Sequence, residues 1–175
     1  MTTITGNDKN SAGAPEIISL HHSALRCTDA EETRQFYEKV LGIPLAAACI
    51  FDHNGLEPMD YMHLFHRMAD GDFVAFFDSP SAMDPELFTP YNKLDMEVGF
   101  TVSSEDELNT LAERLKAENI EFTGPVDHGY IKSVYFKDPN GLNIEFVAKT
   151  ASHDEILAAE KARAKDVLAE WVASN

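Results

Sequence analysis

Glu145 is the residue of this sequence whose position most needs a chemical explanation. It lies between Ile144 and Phe146 in an alternating run that predicts a buried strand. Burying a carboxylate is costly unless it is paired, hydrogen-bonded or bound to a metal ion. Glu145 is therefore a candidate metal ligand, and the structural alternative is an ion pair with Lys132 or Lys149.

The elements that must position Glu145 are two strands and a turn. Apolar patterning over 133–137 and 142–147 predicts the strands, and Asp138-Pro139-Asn140-Gly141 predicts the turn between them. The chain before this hairpin predicts the order β-α-β-β-β, and the hairpin completes a second set in the same order. Such a repeat indicates two copies of one module that complete each other's core.

Local signals set the bounds of these elements. Further strands are predicted over 17–26, 45–51, 61–68, 73–77 and 94–102. We expect Thr28 or Asp29 to cap the first helix and Ser103 or Ser104 to cap the second. A last amphipathic helix is predicted over 152–172, with a role in packing or dimerisation.

The domain organisation follows from this order of elements. Residues 1–15 are expected to form a flexible tail, residues 16–150 a single domain, and residues 151–175 a C-terminal amphipathic helix. Within the domain, module one covers 16–78, a linker with three prolines covers 79–91, and module two covers 92–150.

The internal repeat can be aligned at both ends of the modules. Residues 25–28 match residues 100–103 at an offset of 75, and residues 71–76 match residues 141–146 at an offset of 70. The same offsets carry one residue of each module onto a counterpart in the other: His22 onto Glu97, and Ala75 onto Glu145. Modules related by a pseudo-twofold axis would bring these four positions to face one another.

Three of the four positions carry potential metal ligands: His22, Glu97 and Glu145. One imidazole and two carboxylates around a gap at Ala75 suit an open site for Fe(II) or Mn(II). Each ligand also has a structural alternative. His22 could be a hydrogen-bonded strand residue beside His21, and Glu97 could face water.

Composition excludes several function classes. The chain has 175 residues, is 44% hydrophobic and carries a formal net charge of −16. This acidity argues against partners such as nucleic acid or anionic membranes, and favours a small-molecule substrate or a metal ion. No apolar run is long enough to span a membrane, and Cys27 and Cys49 form no cysteine motif, so we expect a cytoplasmic protein.

The sequence resembles the vicinal oxygen chelate superfamily of glyoxalases, extradiol dioxygenases, epimerases and antibiotic-resistance proteins. The resemblance is carried by LHHSALRCTDAEETRQFYEKVLGIPL at 20–45 and YFKDPNGLNIEF at 135–146. It implies an α+β fold in which two βαβββ modules form a curved mixed sheet around a metal-site cleft, plus the C-terminal helix. It also implies that His22, Glu97 and Glu145 are the metal ligands.

Within the superfamily, the chain resembles the extradiol dioxygenases in its second module. Tyr135 precedes Glu145 by ten residues, as the active-site tyrosine of the dioxygenases precedes their glutamate. The acid–base histidine of those enzymes would fall near Asp72, so His128 is the alternative acid–base group. The resemblance departs at Glu97, where the dioxygenases have a second histidine.

Aromatic residues near the expected cleft suit an aromatic substrate, although they equally suit a plain core. We expect the substrate pocket to be lined by His66, Phe76 and Tyr130. His63 and His66 lie an odd number of residues apart, so on one strand they point to opposite faces and at most one of them faces the pocket.

Three functions follow from these residues. The first is a metal-dependent extradiol-type dioxygenase, an oxidoreductase that acts with O2 on a small catecholic or vicinal-oxygen substrate. The second is a glyoxalase-like or epimerase-like isomerase or lyase that acts through a metal-bound enolate. The third is a non-catalytic small-molecule binding protein of the resistance type. We expect a homodimer, with the site either within one chain or across the dimer.

Overall fold

The computed structural model describes residues 19–51, 60–79 and 96–174. The expected tail and almost all of the expected linker lie outside these ranges. The first module contains β1 (His22–Arg26), α1 (Ala30–Gln35), a π-helical turn (Phe36–Val40), β2 (Leu45–Phe51), β3 (Tyr61–Arg67) and β4 (Phe73–Asp78). The second contains β5 (Glu97–Val102), α2 (Glu105–Ala117), β6 (Phe122–Asp127), β7 (Ile131–Lys137) and β8 (Asn143–Lys149), and α3 (His153–Ser174) follows it.

The strands form two separate four-stranded sheets with the same topology. Their orders are β1-β4-β3-β2 and β5-β8-β7-β6. In each sheet the first and last strands of the module pair in parallel, and the other pairs are antiparallel. This arrangement confirms the predicted α+β fold of two βαβββ modules with a C-terminal helix.

Strand register confirms the alignment of the internal repeat. His22 and Glu97 each begin the first strand of their module. The equivalent cross-strand pairs are Ala24 with Ala75 and Gly99 with Glu145, and Phe65 with Ala75 and Tyr135 with Glu145. Ala75 and Glu145 are therefore structural counterparts, as the sequence offset predicts.

Both module helices begin at the expected caps. The Asp29 carboxylate accepts a hydrogen bond from the backbone N–H of Glu32 at 2.7 Å, and the Ser104 hydroxyl accepts one from Glu107 at 3.3 Å. These side chains satisfy backbone donors that have no partner within the helix. β1 begins at His22 rather than at Ile17, and residues 17 and 18 lie outside the described ranges.

The turn between β7 and β8 fastens the second module to α1 of the first. The amide oxygen of Asn140 accepts hydrogen bonds from the backbone N–H and the hydroxyl of Thr28, at 2.9 and 3.1 Å. The hydroxyl of Tyr37 donates to the Asp138 carboxylate at 3.2 Å, and Asp138 and Asn140 are both buried. The modules therefore meet through the helical side of the first one.

The C-terminal helix α3 presents apolar side chains to solvent. The exposed fractions of Leu157, Val167, Leu168 and Trp171 lie between 41% and 68%. The expectation that α3 acts in packing or dimerisation therefore stays a prediction. No helix among the described residues is long and apolar enough to cross a membrane.

Candidate functional site

The second module presents a carboxylate–phenol group on one face of its sheet. Tyr135 lies directly across from Glu145 in the β7–β8 ladder, and Gly99 lies across from Glu145 on its other side, in β5. A Cβ atom on Gly99 would lie 3.6 Å from a carboxylate oxygen of Glu145, so the carboxylate extends over the β5 backbone. Glu97 is two residues from Gly99 on the same strand, and therefore on the same face.

His128 adds an imidazole to this face. Its Nε2 lies 2.8 Å from the Tyr135 hydroxyl, and the two rings are nearly perpendicular. Tyr135 is half-buried while His128 is exposed. A half-buried phenol paired with a solvent-accessible imidazole is an arrangement that can pass a proton between bulk water and a bound molecule.

The surroundings of Tyr135 favour the protonated form of its phenol. Burial raises the pKa of the Tyr135 phenol above its ordinary value, and a hydrogen bond with Glu145 and the charges of Glu145 and Glu97 raise it further. A contact with Ser133 acts in the opposite direction. Tyr135 is therefore a hydrogen-bond donor at neutral pH.

A bulge in β6 shapes the strand beside Tyr135. The β6–β7 register shifts between Thr123, which pairs with Tyr135, and Val126. Gly124 lies in the bulge at a φ of 124°, and a Cβ there would lie 2.5 Å from the Ser133 carbonyl oxygen. Only glycine fits this close approach between the two strands.

An open cleft of about 1290 Å³ lies beside these residues. Three of the expected site residues line it: Glu97, His128 and Tyr135. A cleft of this size accommodates a small organic molecule.

The first module presents aromatic rings and imidazole nitrogens on the face of its sheet that corresponds to the Glu145 face of the second module. The His22 ring centroid lies 5.9 Å from that of His63 and 5.8 Å from that of Phe65. His63 also packs against Phe65 and stacks on Phe77, at 4.0 and 4.2 Å. Burial and the charge of His22 lower the pKa of His63, so this imidazole is neutral at pH 7.

His63 and His66 point to opposite faces of β3, as expected, but the residue on the site face is His63. His66 is fully buried on the helical side, where its ring packs against Tyr37 and its Nδ1 lies 3.0 Å from the Ile43 carbonyl oxygen. The expectation that His66 lines the pocket is therefore wrong. The alternation of β3 was correctly predicted, but it could not show which of the two faces packs on the helix.

Phe76 and Tyr130 also lie elsewhere than expected. Phe76 is fully buried in the core, 4.7 Å from the Tyr37 ring. Tyr130 contacts the ring of His153 on α3 and does not line the cleft. Both belong to packing, because Phe76 points to the face of β4 opposite Ala75 and Tyr130 lies in the loop before β7.

Asp72 lies in the tight turn between β3 and β4, just before Phe73, which pairs with His22. Its backbone carbonyl accepts a hydrogen bond from Met68 and its N–H donates to Asp70. Its role as an acid–base group stays a prediction.

One chain does not gather all three expected metal ligands. No group of three or more histidine, cysteine, aspartate or glutamate side chains within residues 19–51, 60–79 and 96–174 is placed to hold a metal ion. Glu97 and Glu145 lie on the face of the second module, and His22 lies on that of the first. The modules meet through α1 and the β7–β8 turn, so these two faces are not apposed within the chain.

A family model covers most of this fold. The Glyoxalase/Bleomycin resistance protein/Dioxygenase superfamily model matches residues 19–146, which include both modules. The chain belongs to this superfamily. Membership confirms the resemblance carried by the β1–α1 segment and by the β7–β8 hairpin.

Relatives within the superfamily catalyse different reactions. A lactoylglutathione lyase of Neisseria meningitidis is 27% identical over 146 residues, which are 79% of this chain and 96% of the relative. Biphenyl-2,3-diol 1,2-dioxygenase 2 of Rhodococcus globerulus is 27% identical over 124 residues, 71% of this chain and 59% of that enzyme. The superfamily is therefore established and the reaction is not.

A solved structure shares the fold at lower identity. A mutant of the fosfomycin resistance protein FosX of Listeria monocytogenes, complexed with Mn(II) and 1S,2S-dihydroxypropylphosphonic acid, matches with a TM-score of 0.55 and 22% identity. The match covers 79% of this chain and 98% of the FosX chain.

Two roles were missed in the sequence. The Asp138–Asn140 turn was interpreted as a hairpin connection, but its side chains fasten the modules together. Because their partners Thr28 and Tyr37 are more than 100 residues away in sequence, local patterns give no sign of them. Strand alternation alone does not show which face carries His63, and its burial on the site face is visible only in the folded chain.

Proposed function

We propose that this protein is a divalent-metal enzyme acting on a small molecule with two adjacent oxygen atoms. The first candidate activity is that of a ring-cleaving dioxygenase. The observation that carries the proposal is the arrangement of Tyr135 between Glu145 and His128. It combines a candidate metal ligand, a protonated phenol and a solvent-exposed imidazole.

The donor set fits a divalent ion. Glu97 and Glu145 supply carboxylate oxygens and His22 supplies an imidazole nitrogen, a mixture that suits Fe(II) or Mn(II). The Mn(II) held by FosX supports this choice. When bound, such an ion supplies Lewis acidity and, if it is iron, electron transfer to O2.

The remaining residues bind the substrate and move protons. Tyr135 donates a hydrogen bond to a substrate oxygen, since its raised pKa keeps the phenol protonated. His128 exchanges a proton with Tyr135 across their 2.8 Å contact and with water at the open edge of the cleft. The aromatic side chains of the first module, Phe65, Phe73 and Phe77, form an apolar wall for a planar ring.

The site is completed between two copies of the chain. The first-module face of one copy would meet the second-module face of the other, which brings His22 to Glu97 and Glu145. Support comes from the exposure of His22 and Glu97 in the single chain and from the module contact on the helical side. The exposed edge strand β2, with Ile50 73% exposed, offers further surface for such a dimer.

A metal-dependent isomerase or lyase is the second candidate. Glu97 favours it, because a carboxylate at that corner can act as a base on a carbon acid without O2. The match to the lactoylglutathione lyase also covers 96% of the length of that enzyme.

Oxygen uptake distinguishes the two candidates. Protein loaded with Fe(II) or with Mn(II) is mixed with a panel of catechols and with hemithioacetals, in air and without oxygen. The dioxygenase proposal predicts catechol-dependent O2 consumption that Glu145→Gln abolishes. Turnover that continues without oxygen would replace it with the isomerase or lyase, and tight ligand binding that needs no metal would contradict both.

A further inference from the structure

The gap at Ala75 brings two histidines together on the first module. Ala75 lies on β4, between β1, which carries His22, and β3, which carries His63. Its small side chain is fully buried, and the rings of His22 and His63 approach to 5.9 Å between centroids. A larger residue at this position would separate them.

His63 is buried, and one of its ring nitrogens has no hydrogen-bond partner among the described residues. The residue is 8% exposed, and its Nε2 has no hydrogen-bond partner in the described part of the chain. An unpaired buried polar atom costs stability. Such a cost is expected where the atom is reserved for a ligand.

Neighbouring rings hold His63 in place. Phe65 and Phe77 pack against it at 4.0 and 4.2 Å, and the interplanar angle to Phe77 is 28°. His22 is oriented by His21, since the Nδ1 atoms of these two residues lie 2.8 Å apart. Because this contact uses Nδ1, Nε2 of His22 is available to bind an ion. Metal-bound histidines in proteins commonly make a hydrogen bond through their other ring nitrogen in this way.

The spacing matches two imidazoles on one ion. With metal–nitrogen bonds of about 2.1 Å, the centroids of two ligating imidazoles lie at most about 6.4 Å apart, and closer when the ligands are not opposite each other. The observed 5.9 Å falls inside this limit.

We propose that His63 is a second imidazole ligand of the metal, provided by β3 beside the position at which Ala75 supplies no donor atom. This inference rests on the proposed metal site. The complete set is then His22 and His63 from one copy with Glu97 and Glu145 from the other. Because imidazole suits iron and cobalt better than manganese, His63 also raises the selectivity of the site for Fe(II) and Co(II).

Metal titration of variants tests the proposal. Mn(II) alone and Co(II) alone are titrated into the wild type, His63→Gln and the control His66→Gln. His66 lies on the same strand, is buried and also has an unpaired Nε2, but it faces the core. We expect His63→Gln to weaken Co(II) binding by about 10–100-fold and Mn(II) binding by less, and His66→Gln to leave both affinities unchanged.

Pulsed EPR of the Mn(II) protein counts the coordinated nitrogens directly. The wild type is expected to show two imidazole nitrogens and His63→Gln one. A second variant, His63→Leu, fills the space between the phenylalanine rings with an apolar group, so it should raise the melting temperature of the metal-free protein and still lose one nitrogen.

Each outcome is decisive. If Glu145→Gln loses the metal while both His63 variants retain the wild-type affinities and both nitrogens, the inference is overturned and the proposed function stands. If Glu145→Gln retains the metal as well, the proposed metal site itself is wrong. A His63 variant that loses only substrate affinity would also contradict ligation.

Discussion

The two modules carry different chemistry on equivalent faces of the same backbone. Phe65 and Ala75 in the first module occupy the cross-strand positions that Tyr135 and Glu145 occupy in the second. The first face presents rings and imidazole nitrogens, and the second presents carboxylates and a phenol. The candidate donor atoms are therefore divided between two copies of one backbone fold, and neither face alone holds the full expected ligand set.

The faces turned toward the helices have stayed alike. Residues at equivalent positions are apolar and buried in both modules: Leu64 and Val134, Val74 and Ile144, and Phe76 and Phe146. The core is thus repeated while the site has diverged. Packing needs the same apolar surface twice, whereas a metal site needs different donors from its two halves.

Glu145→Gln is expected to have the largest effect, because it removes a ligand from the oxygen-donor face. The amide is isosteric but uncharged, so Mn(II) affinity should fall by at least about 100-fold with the melting temperature of the metal-free protein unchanged. Isothermal titration with Mn(II) measures this. The control is Glu155→Gln on α3, and equal affinities for the two variants would remove Glu145 from the site.

Tyr135→Phe tests the phenol, which has no counterpart on the first face. The variant keeps the ring and loses the proton donor, so kcat should fall by about 100-fold while metal affinity is retained. Steady-state kinetics with the substrate found in the panel measure it. The matched change Tyr61→Phe on β3 should leave kcat unaltered, and a similar loss in both variants would assign Tyr135 to packing.

Asn140→Ala tests the contact that joins the modules on the side away from these faces. Asn140 loses hydrogen bonds to Thr28, Thr33 and Asp138, so the free energy of unfolding should fall by about 2–3 kcal/mol. Urea denaturation measures the change, with the exposed Asn109→Ala as the control. Equal midpoints for the two variants would show that the turn does not fasten the modules.

Labelling of the two cysteines tests the burial of the first module and is the prediction with the smallest expected effect on the protein. Burial raises the pKa of the Cys27 thiol to about 12 from its ordinary 9.0, and the charge of Asp78 contributes. At about pH 8, a thiol reagent should modify the exposed Cys49 and spare Cys27.

The same thiol also contributes a pH dependence. Because the unfolded chain releases this proton before the folded chain does, the contribution of Cys27 to stability is complete below pH 9.0 and is lost as the pH rises toward 12. Rapid labelling of Cys27 in the native protein, or the same alkaline stability profile for Cys27→Ala, would contradict this burial.

The sequence was sufficient to predict the two βαβββ modules and the residues on the site face of the second module. Apolar periodicity, helix caps and the internal offset predicted both modules and identified Ala75 as the structural counterpart of Glu145. The pairing of Tyr135 with Glu145 agrees with the resemblance, because hairpin register follows from residues close in sequence.

The first face could not be predicted in the same way. Alternation on β3 separated His63 from His66 but could not show which side packs on α1, since that depends on contacts with Tyr37 and Phe76. The assignment of His66 to the pocket failed for this reason, whereas Phe76 directly follows Ala75 on β4 and therefore points to the opposite face. The contact between the modules was missed because its partners are distant in sequence.

A mixing experiment tests most directly whether the two faces form one site between two copies. His22→Ala and Glu145→Gln proteins are unfolded together, refolded as an equal mixture and titrated with Mn(II), beside each variant refolded alone. In a mixed dimer, one site has both defects and the other has none. We expect the mixture to recover about a quarter of the wild-type sites, while neither variant alone binds. Binding by the mixture no greater than that of the separate variants would contradict it.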